Sequence, residues 1–458
     1  MQCIALDLGT SNTVVATNKT SYMHDAHGNY VIPSAISLHK THKAMAYAGQ
    51  DALDSTDTDL YHILEFKRFV ADPSRYTPMH TADDGEYTIA DIFAYYIEWL
   101  IEAASACWGT KPTHVVATVP VAWTSTQRAL YATYLKPLQV VRLIDEPIAA
   151  SIAACPDDHY YQTVVYDMGA GTLDIAIVNL RDDSKDALDS NNKKSYKVHY
   201  STGLPDFGGT NITMAIYNHL CIKHHHIIMP WLEKNPIRRK RLFAHCERIK
   251  KTVEQCRMPV TATIADCDIE FTQSEYRHII QPLLDLATSC IPALNAHPYV
   301  IFIGGPTQSP MLKAAVQEHI KGVVCTSVNP YYAVAIGAAM MIPSAHSQDA
   351  PIDVQGVVHH DIGIKVKGNR MAPLIYKGTE LPVSVSKVFT TADDYLDDVE
   401  IEIYEGNHFL TDSNTRLQGF LLDVPLRERG KVRVRVAVSV SAAYVIEASA
   451  EVLGLQDS

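Results

Sequence analysis

The chain has 458 residues, of which 47% are apolar, 8% aromatic and 20% charged, and this globular composition excludes collagen-like, coiled-coil and wholly disordered chains. The net charge of −12 argues against a nucleic-acid binder that depends on phosphate contacts. The sequence shows neither a basic leader nor an apolar run of about 18 residues, and the nine cysteines form no Cys-x-x-Cys pair. We therefore expect a cytoplasmic protein with reduced thiols and no association with membranes.

An apolar run that ends in Asp-x-Gly occurs twice in the chain. The first copy is IALDLGTSNTVVA at 4–16, and the second is VVYDMGAGTLDIAIV at 164–178. Each copy predicts a strand, a tight glycine turn and a second strand, with a carboxylate at the end of the first strand. Two such hairpins about 160 residues apart indicate a duplicated α/β lobe.

Later segments predict a third glycine turn and then a different kind of domain. The run VIFIGGPTQSPMLKAAV at 300–316 predicts a strand, a turn and a helix, and further helices are expected at 89–107 and 237–256. From about residue 357 the pattern changes to strict alternation, as in VEIEI at 399–403 and VRVRV at 432–436. This alternation is typical of antiparallel strands with one face in water, so we expect an all-β domain there.

The two mirrored hairpins suit a nucleoside triphosphate. Glycine turns allow backbone N–H groups to approach phosphate oxygens, and a neighbouring carboxylate holds hydrated Mg²⁺. Asp7 and Asp167 are the metal candidates, and Thr10, Ser11 and Thr172 could donate hydroxyl hydrogen bonds to phosphates. The alternative is that each aspartate only caps its own turn, and the duplication makes that reading less convincing.

Five further motifs follow a fixed order along the chain: VATVPVAWTSTQR at 116–128, RLIDEPIAASIA at 142–153, FGGTNIT at 207–213, CERIKKTVE at 246–254 and NPYYAVAIGAAM at 329–340. With the hairpins, they resemble the seventy-kilodalton heat-shock (DnaK-like) chaperones over nearly the whole chain. The resemblance implies an α/β actin-like two-lobed ATPase domain at 1–345, a linker at 346–356 and an all-β sandwich peptide-binding domain at 357–458. It also implies ATP or ADP and Mg²⁺ as ligands.

The resemblance assigns roles to individual residues. It implies that Lys67, Glu146, Asp167 and Thr172 form the catalytic set, and that Asp7 and Asp167 hold Mg²⁺ through its water molecules. The other implied nucleotide contacts are Gly9, Thr10, Ser11, Gly169, Ala170, Gly171, Gly208, Gly209, Glu247, Lys250, Lys251, Glu254, Gly304, Gly305, Gln308 and Tyr331. Without the family, Lys67 would be read as part of a solvated face and Glu146 as a turn residue.

The base end of this implied site departs from the family pattern. Lys251 replaces an arginine and cannot stack on a base as a planar guanidinium does, and Glu254 replaces a serine. Gln308 replaces a second arginine, and Tyr331 replaces an aspartate. Ala170 replaces a middle glycine, and its methyl group would crowd a phosphate if its φ were positive. We therefore expect phosphate binding to be kept and affinity for the base to be altered.

The β domain resembles the family's peptide-binding part in the segment PLIYKGTELPVSVSKVFTT at 373–391. The resemblance implies a pocket for an extended apolar peptide lined by Ile364, Phe389, Val399 and Ile401. The alternative is that these are ordinary core residues of a β sandwich. Lys367 falls where the family's arch over the peptide has an apolar residue, so we expect a weaker or altered enclosure.

The resemblance also implies partners and two departures in mechanism. Unfolded or extended client peptides, a J-domain co-chaperone and a nucleotide-exchange factor are the implied partners, with Arg142 and Asp145 where the family meets its J-domain partner. The sequence ends at Ser458, so we expect no helical lid and faster peptide release. In the polar linker, Pro351 and Asp353 oppose strand-like docking, and we expect weak coupling between ATP and peptide.

Two hypotheses on function follow. The first is a slowly ATP-hydrolysing molecular chaperone that binds apolar segments of unfolded clients, with roles in protein folding and the stress response. The second is a non-hydrolysing, nucleotide-sensing interaction protein with one dedicated partner, which the altered base residues and polar linker favour. The intact set of Asp7, Lys67, Glu146 and Asp167 favours the enzyme, since a pure scaffold does not need it.

Overall fold

The computed structural model describes residues 2–18, 21–154, 162–182, 194–204, 206–235, 237–256, 258–294, 297–343, 353–441 and 444–455. The described residues form two compact units: unit 1 lies within 1–120, 134–180 and 201–351, and unit 2 within 121–133, 181–200 and 352–458. No helix among these residues combines the length and the apolar character that crossing a bilayer requires. The domain bounds inferred from the sequence, 1–345 and 357–458, stay a prediction.

The strands and helices are numbered in chain order. The strands are β1 Cys3–Leu8, β2 Asn12–Ala16, β3 Ile32–Pro33, β4 Ala35–His39, β5 Met45–Ala48, β6 Leu60–Leu64, β7 Met79–His80, β8 Glu86–Tyr87, β9 His114–Val119, β10 Gln139–Asp145, β11 Gln162–Met168, β12 Leu173–Asp182, β13 Lys194–Leu204, β14 Val260–Ile264, β15 Cys267–Phe271, β16 Tyr299–Ile303, β17 Val323–Val324, β18 Asp353–Gln355, β19 Ile362–Val366, β20 Arg370–Ile375, β21 Val383–Thr390, β22 Asp398–Glu405, β23 Thr415–Asp423, β24 Val432–Val440 and β25 Ile446–Leu455. The helices are α1 Gln50–Asp54, α2 Arg68–Ala71, α3 Ile89–Trp108, α4 Ser125–Tyr134, α5 Glu146–Ala154, α6 Gly209–Lys223, α7 His225–Glu233, α8 Ile237–Thr252, α9 Gln273–Ser289, α10 Pro310–Ile320 and α11 Ala333–Met340.

Two sheets of unit 1 share one plan. In the first, with the order β10-β9-β1-β2-β3, β1 pairs antiparallel with β2 and parallel with β9. In the second, which contains the order β17-β16-β11-β12, β11 pairs antiparallel with β12 and parallel with β16. Each glycine hairpin therefore occupies the same place in its sheet, which confirms both predicted hairpins.

The predicted helix after residue 89 is confirmed and carries clear end signals. Thr88 and Asp91 form a reciprocal capping box at the start of α3, and Gly109 ends it in the left-handed conformation. The Tyr96 hydroxyl on its buried face donates to Thr13 Oγ1 over 3.0 Å, so the helix supports β2 of the first hairpin. Helix α8 ends at Thr252, four residues before the predicted end at Cys256.

Unit 2 contains two antiparallel sheets, with the orders β20-β19-β22-β23 and β21-β24-β25. In β24 the valines at 432, 434, 436, 438 and 440 are all buried, whereas Arg433 and Arg435 are exposed. The alternation read from the sequence is therefore confirmed in β24 as one buried and one wet face. In β22 it is only partly confirmed, because Glu402 is buried like its neighbours Ile401 and Ile403. The core between these strands is mainly valine, isoleucine and leucine.

Unit 2 also contains residues 121–133, which include most of α4. Ser125 donates from its backbone N–H over 2.9 Å and from its hydroxyl over 2.6 Å to Glu405 Oε2. The Arg128 guanidinium lies 5.3 Å from the centre of the Tyr444 ring. Glu405 is fully buried. Its carboxylate accepts hydrogen bonds from the first turn of α4 in place of water.

The end of the predicted linker forms a strand. Residues 346–352, Pro351 among them, lie outside the described residues, but β18 pairs in parallel with β13 from Ser195–Asp353 to Lys197–Gln355. The expectation that Asp353 opposes strand-like pairing is therefore wrong. Ladder hydrogen bonds join backbone groups, so a polar residue on an edge strand does not prevent them.

Candidate functional site

The first hairpin is closed by a backbone hydrogen bond from Gly9 N–H to the Asn12 carbonyl over 2.8 Å. Ser34 donates from its hydroxyl to the Gly9 carbonyl over 2.9 Å and from its backbone to the Ser11 carbonyl over 2.9 Å. These bonds hold the turn of Thr10 and Ser11 directly after Asp7. The residues expected to meet phosphates are therefore on a fixed, half-buried turn.

The second hairpin rests on the first turn of α6. Gly169 closes the turn onto the Thr172 carbonyl over 3.0 Å. Gly209 N–H donates to the Gly169 carbonyl over 3.0 Å, and Thr210 N–H donates to the Ala170 carbonyl over 2.8 Å. Ala170 is not among the described non-glycine residues with positive φ, so the condition for its methyl group to crowd a phosphate is not met.

Gly304, in the third glycine turn, packs against the strand that leads into the second hairpin. Its φ is +84°, and a Cβ added there would lie 2.0 Å from the Met168 carbonyl oxygen. Both the left-handed backbone and the close approach require glycine. The turn at the end of β16 therefore lies directly against Met168 and Gly169.

Replacing Gly304 with alanine is expected to lower the free energy of unfolding by about 2–5 kcal/mol, because left-handed strain of about 1–2 kcal/mol adds to over-packing of about 1–3 kcal/mol. Gly28→Ala is the matched control, since Gly28 has a φ of +82° and a Cβ there would meet nothing within 4 Å. Urea unfolding of both variants separates strain from contact. Equal losses would contradict the close approach at Gly304.

Four acidic side chains and one lysine come together where the hairpins end. Lys67 Nζ lies 2.8 Å from Glu146 Oε1, and the Lys67 side chain is only 5% exposed. Asp7 Oδ1 accepts a hydrogen bond from Thr118 Oγ1 over 3.0 Å. Asp167 pairs directly across the second hairpin with Asp174. These groups lie on β1, β11, β12, the residue before α2 and the start of α5, and the charge of Glu146 acts on all three aspartates.

Burial and mutual repulsion shift the acidity of these aspartates. Burial and then the charge of Glu146 raise the pKa of Asp7 to about 7, although Lys67 and Thr118 oppose this shift. Burial and Glu146 likewise raise the pKa of Asp174 to about 7, against a hydrogen bond from Thr172. Burial, Glu146, Asp174 and Asp7, in that order, raise the pKa of Asp167. The single positive charge of Lys67 does not balance the four acidic side chains.

The donor set suits a hydrated magnesium ion. Within the described residues, no three acidic, histidine or cysteine side chains are arranged to bind a metal ion by themselves. Mg²⁺ prefers oxygen ligands and usually keeps several of its water molecules. Carboxylates that do not touch the ion can therefore hold it through these water molecules. A divalent cation would also favour the ionised forms of Asp7 and Asp167, whose pKa values are raised without it.

Glu247 and Lys250 form a compact polar group on α8. Lys250 Nζ lies 2.6 Å from Glu247 Oε2 and donates to the Gly209 carbonyl over 3.0 Å. Thr213 donates to Glu247 Oε2 over 2.5 Å. Burial opposes ionisation of Glu247, but Lys250 and Thr213 outweigh it and lower the pKa of Glu247. Lys251 lies 3.5 Å from Glu247 and is 66% exposed.

Glu254 has a structural role that the sequence did not indicate. Its Oε1 accepts from the Ser309 hydroxyl over 2.6 Å, and its Oε2 accepts from the Met311 N–H over 3.0 Å. The carboxylate therefore caps the start of α10, where the helix dipole favours a negative charge. Gln308 is exposed, and the Tyr331 ring lies beside Gly305, 3.4 Å from the place of an added Cβ.

Of the four implied peptide contacts, two lie in the core of unit 2 and two lie at its edge. Ile364 and Ile401 are 4% and 8% exposed, and Phe389 and Val399 are half-buried against the same core. Lys367 Nζ lies 2.6 Å from Asp393 Oδ1 and 3.3 Å from the Ala392 carbonyl. A lysine at this position thus joins the end of β19 to the loop after β21 by an ion pair.

Of the two implied J-domain contacts, Asp145 is buried at 8% exposure and Arg142 is half-buried on β10. A partner that reads these positions would therefore meet Arg142 more directly than Asp145.

Three residues near the site carry contacts that sequence reasoning missed. Asp174 was not singled out, because the first hairpin has Val14 opposite Asp7, where the second has Asp174 opposite Asp167. The spacing of residues in the second hairpin predicts that Asp174 lies opposite Asp167. Thr118 and Arg68 gave no such signal, since their contacts with Asp7 and Gly171 depend on tertiary structure.

Comparisons with known proteins show which family this chain belongs to. A family model described as Hsp70 protein matches residues 3–456. The chaperone protein DnaK of Thermotoga neapolitana is 27% identical over 487 aligned residues, which cover 98% of this chain and 78% of that protein. The chaperone protein DnaK of Thermotoga maritima is also 27% identical with the same coverage.

Proposed function

Because the chain belongs to the Hsp70 family, we propose that it is a chaperone that binds ATP with Mg²⁺, hydrolyses it slowly to ADP and phosphate, and holds extended apolar segments of client proteins. The observation that carries this proposal is the buried Lys67–Glu146 pair among three aspartates, next to the two glycine hairpins. Such a group is suited to binding phosphate and a hydrated cation.

The phosphate end is formed by the hairpins and α6. Backbone N–H groups and hydroxyls of Thr10, Ser11 and Thr172 would donate to phosphate oxygens. Asp7 and Asp167 would hold Mg²⁺ through its water molecules, and the ion would neutralise phosphate charge. In this proposal the site supports a two-lobed, actin-like arrangement of the ATPase part.

Hydrolysis depends on positioning and charge in this site. Lys67 would lie at the terminal phosphate and stabilise the charge that develops there, while Glu146 keeps its ammonium in place. Glu146 would also accept a hydrogen bond from the attacking water. Water adds to the terminal phosphorus, the bond to the bridging oxygen breaks, and ADP and phosphate leave.

The sugar end is formed by Glu247 and Lys250, whose charged groups suit ribose hydroxyls. The base end provides fewer side-chain contacts for the base, because Glu254 caps a helix and Lys251 extends into solvent. Tyr331 beside Gly305 supplies an aromatic face on which a base could stack. Affinity would therefore come mainly from phosphates and ribose.

For peptide binding we propose the apolar face that includes Phe389 and Val399. Replacing Phe389 with serine is expected to weaken binding of a fluorescent apolar heptapeptide about tenfold, because an aromatic anchor is lost. Phe409→Ser is the matched control, since Phe409 is 67% exposed and lies outside this face. Fluorescence anisotropy compares the two, and equal peptide affinities would move the binding face elsewhere.

Thermal unfolding with Mg-ATP, Mg-ADP and Mg-GTP tests the nucleotide site. A ligand at about 100 times its Kd should add about 2.7 kcal/mol of stability. We expect a shift with Mg-ATP that is lost in Asp7→Ala. Absence of a shift with every nucleotide would overturn the proposed site, and a shift without phosphate release would favour the nucleotide-sensing interaction protein.

A further inference from the structure

Arg68 lies against the turn of the second hairpin. A Cβ added to Gly171 would lie 1.8 Å from Arg68 Nη2 and 2.6 Å from its Cζ, so the guanidinium covers the backbone of this turn. Arg68 begins α2 and directly follows Lys67, whose ammonium is already in the site. A second cation is therefore next to the backbone that is expected to bind phosphate.

Glu65 holds this arginine and links it to another element. Its Oε2 lies 3.3 Å from Arg68 Nε, and its Oε1 accepts from the Thr210 hydroxyl over 3.3 Å. Glu65 has a φ of +56°, a left-handed conformation that is uncommon for a residue other than glycine. Both carboxylate oxygens are thus used, one on Arg68 and one on the first turn of α6.

A guanidinium is always charged and forms the same forked hydrogen bonds with a carboxylate as with a phosphate. We propose that Glu65 competes with the nucleotide phosphates for Arg68, and that a triphosphate, which offers the most negative charge, displaces it. This rests on the proposed nucleotide site. Glu65 thereby sets how strongly the protein distinguishes triphosphate from ligands with fewer phosphates.

Displacement has a structural consequence. When Arg68 binds phosphate, the ion pair between Glu65 and Arg68 is lost. The hydrogen bond from Thr210 then remains as the contact of the Glu65 carboxylate described above. The contact between Arg75 and Asp206 joins the same two stretches of chain, 65–75 and 206–210, without touching the glycine turn. Arg75 is therefore an arginine of the same region that we do not expect to contact a bound phosphate.

The test compares affinities for Mg-ATP, Mg-ADP and adenosine by isothermal titration calorimetry. Glu65→Gln keeps the shape but removes the charge, and we expect Mg-ATP to bind about tenfold more tightly, Mg-ADP less so, and adenosine unchanged. Glu65→Asn, whose side chain suits positive φ, is the second variant with the same expected order. Arg75→Gln is the control and should leave all three affinities unchanged.

A double-mutant cycle isolates the pair. In the Arg68→Gln background, Glu65→Gln should no longer tighten Mg-ATP binding. No guanidinium is then left for which Glu65 and the phosphates could compete. Unchanged or weaker Mg-ATP binding in Glu65→Gln and Glu65→Asn would overturn the inference, as would an equal gain for adenosine. If wild-type protein bound no Mg-ATP, the proposed function itself would fail, and this inference with it.

Discussion

Replacing Lys67 with methionine is expected to lower kcat for ATP hydrolysis about 100- to 1,000-fold, the usual effect of removing one group that stabilises charge in the transition state. The ammonium lies 2.8 Å from Glu146 and is buried next to aspartates whose pKa values are raised. Phosphate release in the steady state measures the loss. Mg-ATP binding should persist, since the hairpins and the sugar end are unchanged.

Two controls accompany this variant. Removing Lys67 leaves Glu146 without its cation, and an unpaired buried charge destabilises the fold. The double variant Lys67→Met with Glu146→Gln removes both charges and should fold but stay inactive. Lys43→Met breaks another lysine ion pair, 2.8 Å from Asp91 and partly exposed, and should leave turnover unchanged. Normal turnover in Lys67→Met would mean that the assigned catalytic site is wrong.

Asp174→Asn is expected to stabilise the nucleotide-free protein at pH 8 by about 1–3 kcal/mol while it weakens Mg-ATP binding. The pKa of Asp174 is raised from 3.8 to about 7, so ionising it in the folded protein is unfavourable. Each unit of pKa corresponds to about 1.4 kcal/mol, and sharing of charge among the neighbouring acids reduces the full value. Urea unfolding at several pH values measures this effect.

The direction of the pH dependence follows from proton binding. A carboxyl group with a raised pKa binds its proton more tightly in the folded than in the unfolded chain. Its contribution to stability is therefore greatest below about pH 4 and is lost as the pH rises towards 7. The advantage of Asp174→Asn should accordingly be near zero at pH 4 and largest above pH 7.

The matched control is Asp268→Asn, the same chemical change at an exposed aspartate that hydrogen-bonds Thr263. It should alter stability equally little at both pH values. A gain in Asp174→Asn that did not depend on pH would contradict the assigned charge repulsion. In the proposed function, a bound cation would offset the unfavourable charge of this acid.

Local patterns predicted the fold well where neighbouring residues decide it. Both Asp-x-Gly hairpins, the helix from Ile89 and the alternating strand from Val432 depend on turns, caps and periodicity that are complete within one segment. The end of the linker was misjudged for a physical reason. Strand pairing of Asp353–Gln355 comes from a partner strand that its own side chains do not indicate.

The sequence indicated the two hairpins of the candidate site, whereas the side-chain contacts around them depend on distant segments. Glu254 caps a helix that begins more than 50 residues later in the chain, a contact that its own segment does not indicate. Glu65 and Arg68 had no pattern that marked them, because their partners Thr210 and Gly171 come from distant segments. Contacts of this kind follow from the packing of elements and not from the sequence of any one of them.

Phosphate release from Mg-ATP under single-turnover conditions shows whether the protein hydrolyses ATP. We expect slow release of phosphate by the wild-type protein, above the spontaneous rate, and loss of this release in Lys67→Met. A stable Mg-ATP complex that released no phosphate above the spontaneous rate would contradict the enzyme and leave a nucleotide-sensing interaction protein in its place.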